Sequence, residues 1–220
     1  MGKNEGGIGM NVAVINGSPK SNGNTALALH KVMEALEKGG VDCKLIHVGN
    51  QPVRGCTACG QCGKNKDEQC IQKDDPVNEW IQDMKAADGI LVGSPVYYSG
   101  MAGTLKCFLD RAFFVAGANG GLFRHKVGAG LVVARRSGGT AAFDQLNKYF
   151  LISEMMVPGS NYWNVGHGGR PGEISQDEEA MQIMEVLGEN MAWLIQSIHG
   201  SKDVVTEPPR KPKTATNFVR

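Results

Sequence analysis

"MNVAVINGSPKSNGNT", residues 10–25, decides how the rest of the chain is read. A short apolar run ends at Gly17, and short hydroxyl and amide residues follow. An apolar run closed by a glycine turn reads as a buried strand. Beyond it Leu29, Val32, Met33 and Leu36 recur at i, i+3, i+4 and i+7, which predicts a helix over residues 24–38. Gly39-Gly40 stop that helix. A strand, a polar loop and a helix in this order form the opening half of a βαβ unit.

The same alternation continues outward. "VDCKLIHV", 41–48, reads as a second strand, and 49–73 shows neither helical nor strand period. A loop of that length inside a compact domain is usually functional. Asp75 before Pro76 opens a helix with Val77, Trp80, Ile81 and Met84 as its stripe. "GILVG", 89–93, is a third strand, and Ala102, Leu105, Phe108, Leu109 and Ala112 mark the next helix. "KVGAGLVVA", 126–134, is a fourth strand; 140–155 is a helix with Phe143, Leu146 and Phe150 on one face. A fifth strand is expected near 157–165 and a last helix over 176–199. Alternating apolar strands and helices predict an α/β fold: a doubly wound sheet of five parallel strands with helices on both faces. Ligands in such sheets bind at the carboxyl ends of the strands, near the topological switch point. The expected organisation is a flexible leader at 1–9, one domain over 10–199 carrying a Cys-rich insert at 49–73, and a tail at 200–220.

Composition narrows the function. A formal net charge of +1 argues against broad electrostatic attraction to nucleic acid or to an anionic membrane. No apolar run is long enough to span a bilayer. The start, "MGKNEGGIGM", has no apolar h-region, so it does not read as a secretory signal, and Met10 is an alternative start. A cytoplasmic protein is expected. In a reducing compartment, clustered cysteines favour metal or redox chemistry over disulfides. The tail carries three prolines after Gly200, and Phe218 and Val219 are expected to anchor it on a neighbouring subunit.

Three ligand-side loops carry candidate residues. After the first strand, Ser18, Ser21, Asn22, Asn24 and Thr25 can donate hydrogen bonds, and Lys20 adds charge. Backbone amides at a helix start, aided by the helix dipole, make an anion site. The loop is neither a GxGxxG fingerprint nor a P-loop, so a single phosphate is the anion expected. The competing reading is an ordinary turn with Asn24 or Thr25 as N-cap. After the third strand, Pro95, Val96, Tyr97, Tyr98, Ser99 and Gly100 offer flat faces and backbone amides to a planar ring. After the fourth, Arg135, Arg136, Ser137 and Gly138 offer guanidinium groups at a glycine turn. Taken singly, the tyrosines also fit an exposed rim and the arginines a solvated turn.

Together, "NGSPKSNGNT", "GSPVYYSGMAGTLKCFLDR" and "ARRSGGT" resemble the flavin loops of the NAD(P)H-dependent FMN reductase family, of flavodoxin-like fold. "GCTACGQC…CIQKDD" resembles the iron–sulfur flavoproteins within that superfamily. The resemblance implies FMN, with its phosphate on residues 18–25, its ring against 95–100, and contacts from 135–140, including Arg135, Ser137 and Gly138. It implies an oxidoreductase passing electrons from NAD(P)H to flavin, quinone or another small acceptor. The alternative is an electron-transfer protein served by a ferredoxin-like partner. It also implies a homodimer or homotetramer with flavin sites near subunit interfaces. His167 and Glu173, in "GHGGRPGE", match a late segment that approaches the flavin. Catalysis would rest on the flavin, and no protein acid–base set is expected.

Cys56, Cys59, Cys62 and Cys70 have the spacing C-x2-C-x2-C-x7-C. Two consecutive short gaps let three thiols face one side of a compact loop, and the fourth closes the site. Such a set suits a 4Fe–4S cluster or an all-cysteine zinc site, or it stands as free thiols. The spacing resembles the cluster motif of iron–sulfur flavoproteins. Cys43 and Cys107 read as packing residues.

Overall fold

A computed structural model describes residues 9–214 and 216. Phe218 and Val219, and the leader apart from Gly9, lie outside the described residues. The parallel strands are β1 (Asn11–Asn16), β2 (Asp42–His47), β3 (Gly89–Tyr97), β5 (Val127–Ala134) and β6 (Val165–His167), in spatial order β2-β1-β3-β5-β6. A short β4 (Gly100–Met101) folds back antiparallel on the end of β3. The order reverses at β1, so the crevice between the carboxyl ends of β1 and β3 is the switch point.

Two separate cores explain why the sheet is doubly wound. On one face Trp80, Ile81, Phe108, Leu146 and Phe150 bury α3 (Val77–Ala86), α4 (Gly103–Ala118) and α5 (Gly139–Ile152). On the other, Leu29, Leu36, Leu187 and Met191 bury α1 (Asn24–Lys38) and α6 (Glu178–Ser201) against Val12, Val14 and Leu91. Central strands covered on both faces have no room for polar alternation, which is why β5 is apolar throughout. No helix among the described residues is long and apolar enough to cross a membrane.

The structure differs from the sequence reading in three elements, and the described part of the tail can also be placed. The third strand runs on to Tyr97 and turns into β4. The insert contains a helical turn, α2 (Gln61–Asn65), too short to leave a period. Most of 157–165 is irregular, because Pro158-Gly159 break it, and the fifth parallel strand begins only at Val165. The described part of the tail lies against its own chain: Arg124 Nη2 donates to the Pro208 carbonyl at 2.9 Å, and His125 Nδ1 lies 3.1 Å from Glu207.

Candidate functional site

The loop after β1 is fixed from both neighbouring strands before it reaches α1. Gly17 N–H donates to the Gly93 carbonyl at 2.9 Å, and the N–H groups of Val48 and Gly49 donate to the Asn16 carbonyl at 3.0 and 3.2 Å. Asn16 itself is fully buried, and its Oδ1 accepts from Ser18 N–H at 3.0 Å. Only glycine fits at 49, where a Cβ would sit 2.1 Å from the Ser18 carbonyl oxygen. Ser18 Oγ accepts from Lys20 N–H at 3.2 Å, and Ser18 and Thr25 are buried at either end of the loop. Lys20, Ser21 and Asn22 are exposed between them. The Asn16 Nδ2 group is buried with no hydrogen-bond partner among the described residues. An orphaned buried donor at a strand end calls for a ligand or a water.

Asn24 is engaged with the late loop. Its Nδ2 donates to the Arg170 carbonyl and its Oδ1 accepts from Gly172 N–H, both at 2.8 Å. It therefore ties the late loop to the start of α1. Within that late loop, Glu173 Oε2 accepts from Gly169 and Arg170 N–H at 2.8 and 2.7 Å, and these backbone bonds hold its pKa below the ordinary value. His167 N–H donates to Asp177 Oδ2 at 2.8 Å. The Glu173 side chain and the His167 backbone thus hold this segment together.

The platform after β3 is a tight turn. Tyr98 and Ser99 both have left-handed φ, 48° and 59°, as a type I′ hairpin turn demands. Residues other than glycine hold that conformation only where their surroundings impose it. Met101 N–H donates to Gln145 Oε1 at 3.2 Å, and Ala102 N–H donates to Ser94 Oγ at 3.0 Å. Gly138, with φ 84°, packs so closely that a Cβ there would lie 2.8 Å from Ser99 Cα. Pro95 and Val96 are half-buried beneath the turn; Tyr97, Tyr98 and Ser99 are exposed on it. Arg135, Arg136 and Ser137 stand exposed on the rim beside Gly138.

Electrostatics at this end favour an anion. α1, α4 and α5 all begin with no side-chain cap and no acidic residue in the first turn. By contrast, α6 begins with Asp177 as N-cap, then Glu178 and Glu179. Free N–H groups and uncompensated helix dipoles thus stand at the starts of α1, α4 and α5, while the start of α6 on the same side is satisfied by its own acids.

The cysteine segment packs along the flank of α4, about 12 Å of helical rise from Gly103 at eight residues of 1.5 Å each. Cys56, Cys59, Cys62 and Cys70 line one pocket, together with Ile71, Arg111 and Phe114. Cys56 and Cys59 are exposed, Cys62 and Cys70 buried, and all six cysteines are unpaired. Left-handed φ at Gly60 (70°) and Lys66 (56°) turns the chain on either side of α2. Asn78 holds Cys70 by its backbone, accepting from its N–H at 2.7 Å and donating to its carbonyl at 2.9 Å. Asn119 donates to the Cys62 carbonyl at 3.3 Å. Backbone donation, chiefly from Gln61, lowers the Cys59 pKa; burial, then the nearby Cys70 and Cys56, raises that of Cys62. Among the described residues no three His, Cys, Asp or Glu side chains are gathered closely enough to hold a metal ion. The donor set nonetheless fits a thiolate-bound group: four thiols around one pocket, with backbone and Arg111 N–H groups beside them. Cys43 is half-buried in β2, where burial, with Glu37 and Asp42, pushes its thiol up to about 12. Cys107 is half-buried on α4.

Two buried residues here are absent from the sequence reading. Asn16 is one polar residue at a strand end and leaves no pattern. Arg111 does leave one: it follows Phe108 by three residues on an otherwise apolar helical stripe, and its side chain is wholly buried against Asp75.

Sheet order and switch point define a flavodoxin-like α/β fold with its ligand crevice at the carboxyl ends of β1 and β3. The chain belongs to the NADPH-dependent FMN reductase family, which it matches over residues 10–170, and it is an FMN-binding oxidoreductase. It is 33% identical over 196 residues to an iron–sulfur flavoprotein of Methanocaldococcus jannaschii, covering 86% of this chain and 99% of that protein. Among solved structures it resembles RosB with bound 8-demethyl-8-formylriboflavin-5′-phosphate, with TM-score 0.70 and 14% identity, over 96% of this chain and 95% of that one. It also resembles a flavodoxin from the domain Archaea, with TM-score 0.55 and 17% identity, over 85% and 99%. These two structural likenesses speak for the fold alone.

Proposed function

We propose that FMN is held at the switch point, with its phosphate toward Ser18, Lys20, Ser21, Asn22 and Thr25 and its ring toward Pro95–Gly100, beside Arg135, Ser137 and Gly138. The observation that carries this is the unpartnered, buried Asn16 donor beneath a loop that opens into the uncapped start of α1. FMN supplies the electron chemistry when bound. The chain's part is to fix the phosphate, support the ring on a turn that neighbours hold rigid, and leave the exposed side of that turn open to a nicotinamide. NAD(P)H is the proposed donor, and flavin, quinone or another small molecule the proposed acceptor. The test is anaerobic mixing of the FMN-loaded chain with NADPH or NADH. Rapid bleaching of the flavin absorbance is expected. Bleaching by dithionite but by neither nicotinamide would transfer the donor's role to a protein.

A second reading, a 4Fe–4S cluster on Cys56, Cys59, Cys62 and Cys70, is favoured by the four thiols around one pocket and by the name of the M. jannaschii relative. It would make the chain an electron-transfer flavoprotein with a ferredoxin-like partner, able to divide an electron pair into single electrons. Cys56 and Cys59 must then turn inward from their exposed positions. Anaerobic expression and reconstitution should give about four irons per chain. Cys59→Ser should remove them and leave FMN bound, and an iron-free chain after that treatment would leave zinc or free thiols. We place the protein in the cytoplasm, because unpaired cysteines suit a reducing compartment. A homodimer or homotetramer is proposed from the exposed Leu151, Ile152, Tyr162 and Trp163, and sedimentation analysis checks it.

A further inference from the structure

We infer that Arg111 sets the redox poise of the group held by the four cysteines, by donating its Nε–H to Cys70 Sγ; this rests on the cluster reading above. The Arg111 side chain is 0% exposed and that of its partner Asp75 1% exposed. Core packing gives no reason for a charge at this point of α4. A buried ion pair replaced as a whole by apolar residues of similar volume is often neutral or stabilising, so packing alone does not call for the pair. The direction of its donors is more informative. Nη2 donates to the Gln72 carbonyl at 3.0 Å, and Nη1 donates to the Arg54 carbonyl at 3.3 Å and to Asp75. These three acceptors fix the guanidinium plane. The remaining Nε–H points at Cys70 Sγ, 3.4 Å away, within range for a donor to sulfur.

Anchoring the loop does not require this bond, because Asn78 already binds both backbone groups of Cys70 and Asn119 binds the Cys62 carbonyl. A hydrogen bond to a ligand sulfur is one of the levers that set an iron–sulfur potential. The reduced cluster carries one more negative charge than the oxidised cluster, so a charged donor at sulfur stabilises it more. Arg111 therefore raises the potential. Asp75 compensates the guanidinium charge at long range but leaves the N–H contact to sulfur intact. The sign separates this from a merely structural role. Loss of the Nε–H bond lowers the potential, whereas a loosened pocket admits water, which solvates the more charged state better and raises it.

The test uses the full chain, loaded with FMN and reconstituted with iron and sulfide under anaerobic conditions. Arg111→Lys keeps the charge and removes the Nε donor. In EPR-monitored redox titrations its iron content should match that of the unaltered chain. Its cluster midpoint should move negative by at least tenfold in the reduced-to-oxidised ratio, about 59 mV for one electron. The flavin midpoint should stay in place. Lys44→Gln, at an exposed side chain paired with Asp83, should leave both midpoints unchanged. An iron-loaded Arg111→Lys with an unchanged or more positive cluster midpoint overturns the inference. Should that variant lose iron or fail to fold, the unaltered chain labelled with 15N only in its arginine guanidinium groups decides. Pulsed EPR of its reduced cluster should show a 15N coupling, and a loaded cluster without one overturns the inference. An unaltered chain that takes up no iron removes the cluster reading and this inference with it, which iron analysis distinguishes from a failure of Arg111 alone.

Discussion

Asn16 joins three strands at one point. Its carbonyl receives two N–H groups from the turn after β2, its Oδ1 fixes Ser18, and its Nδ2 has no partner among the described residues. Asn16→Ala removes a donor that a charged phosphate would value at about 1.5–3 kcal/mol, and frees the Ser18 N–H. FMN affinity should fall about tenfold or more in a fluorescence titration; the same affinity in both proteins would mean that Nδ2 faces away from the ligand. The cysteines separate in the same way, by local chemistry. Backbone donors lower the Cys59 pKa, so its thiolate fraction grows at lower pH than for an ordinary thiol, whereas Cys43 at about 12 stays protonated through neutral pH. In iron-free protein, iodoacetamide should label Cys59 well before Cys43 at pH 7.5, with peptide mass spectrometry as the readout. Equal labelling rates would contradict the exposure and backbone bonding given to Cys59.

Among the elements, α4 links the two halves of the account. Its uncapped start lies under the Tyr98-Ser99 turn, and two to four turns later it presents Arg111 and then Asn119 to the cysteine segment. One helix thus spans the distance from the turn after β3 to the thiol pocket. The Arg111–Asp75 pair is where this arrangement is most vulnerable, since removing one member leaves a buried charge unpaired. Asp75→Ala should cost about 3–5 kcal/mol in urea unfolding of the iron-free chain. A loss under about 1 kcal/mol would show that Arg111 finds another counter-charge. The turn beside the start of α4 explains a limit of sequence reasoning. Type I′ hairpins are normally signalled by Asn-Gly or a similar pair. Tyr98-Ser99 gives no such signal, because Gln145 and Gly138 impose the conformation from α5 and its cap.

At the scale of the whole molecule, the features legible in the sequence are those with local cause. The helix over 24–38 coincides with α1, and the first four strands lie within two residues of their expected starts, because buried runs and 3.6-residue stripes are written in adjacent residues. The fifth parallel strand begins later than its sequence suggests, since Val157 opens an apolar stretch that Pro158-Gly159 then break. The task of Asn24 depends on a contact between segments 146 residues apart, which no local pattern carries. The cysteine spacing was legible, but its position along the flank of α4 was not. The loop after β1 is the proposed holder of the FMN phosphate. Its most direct test is the FMN dissociation constant of Ser18→Ala/Thr25→Ala beside that of the unaltered chain, with melting temperatures to show that both are folded. Two hydroxyl donors to a charged group predict a constant at least tenfold weaker, about 1.4 kcal/mol or more. An unchanged dissociation constant in a folded double variant would contradict the claim.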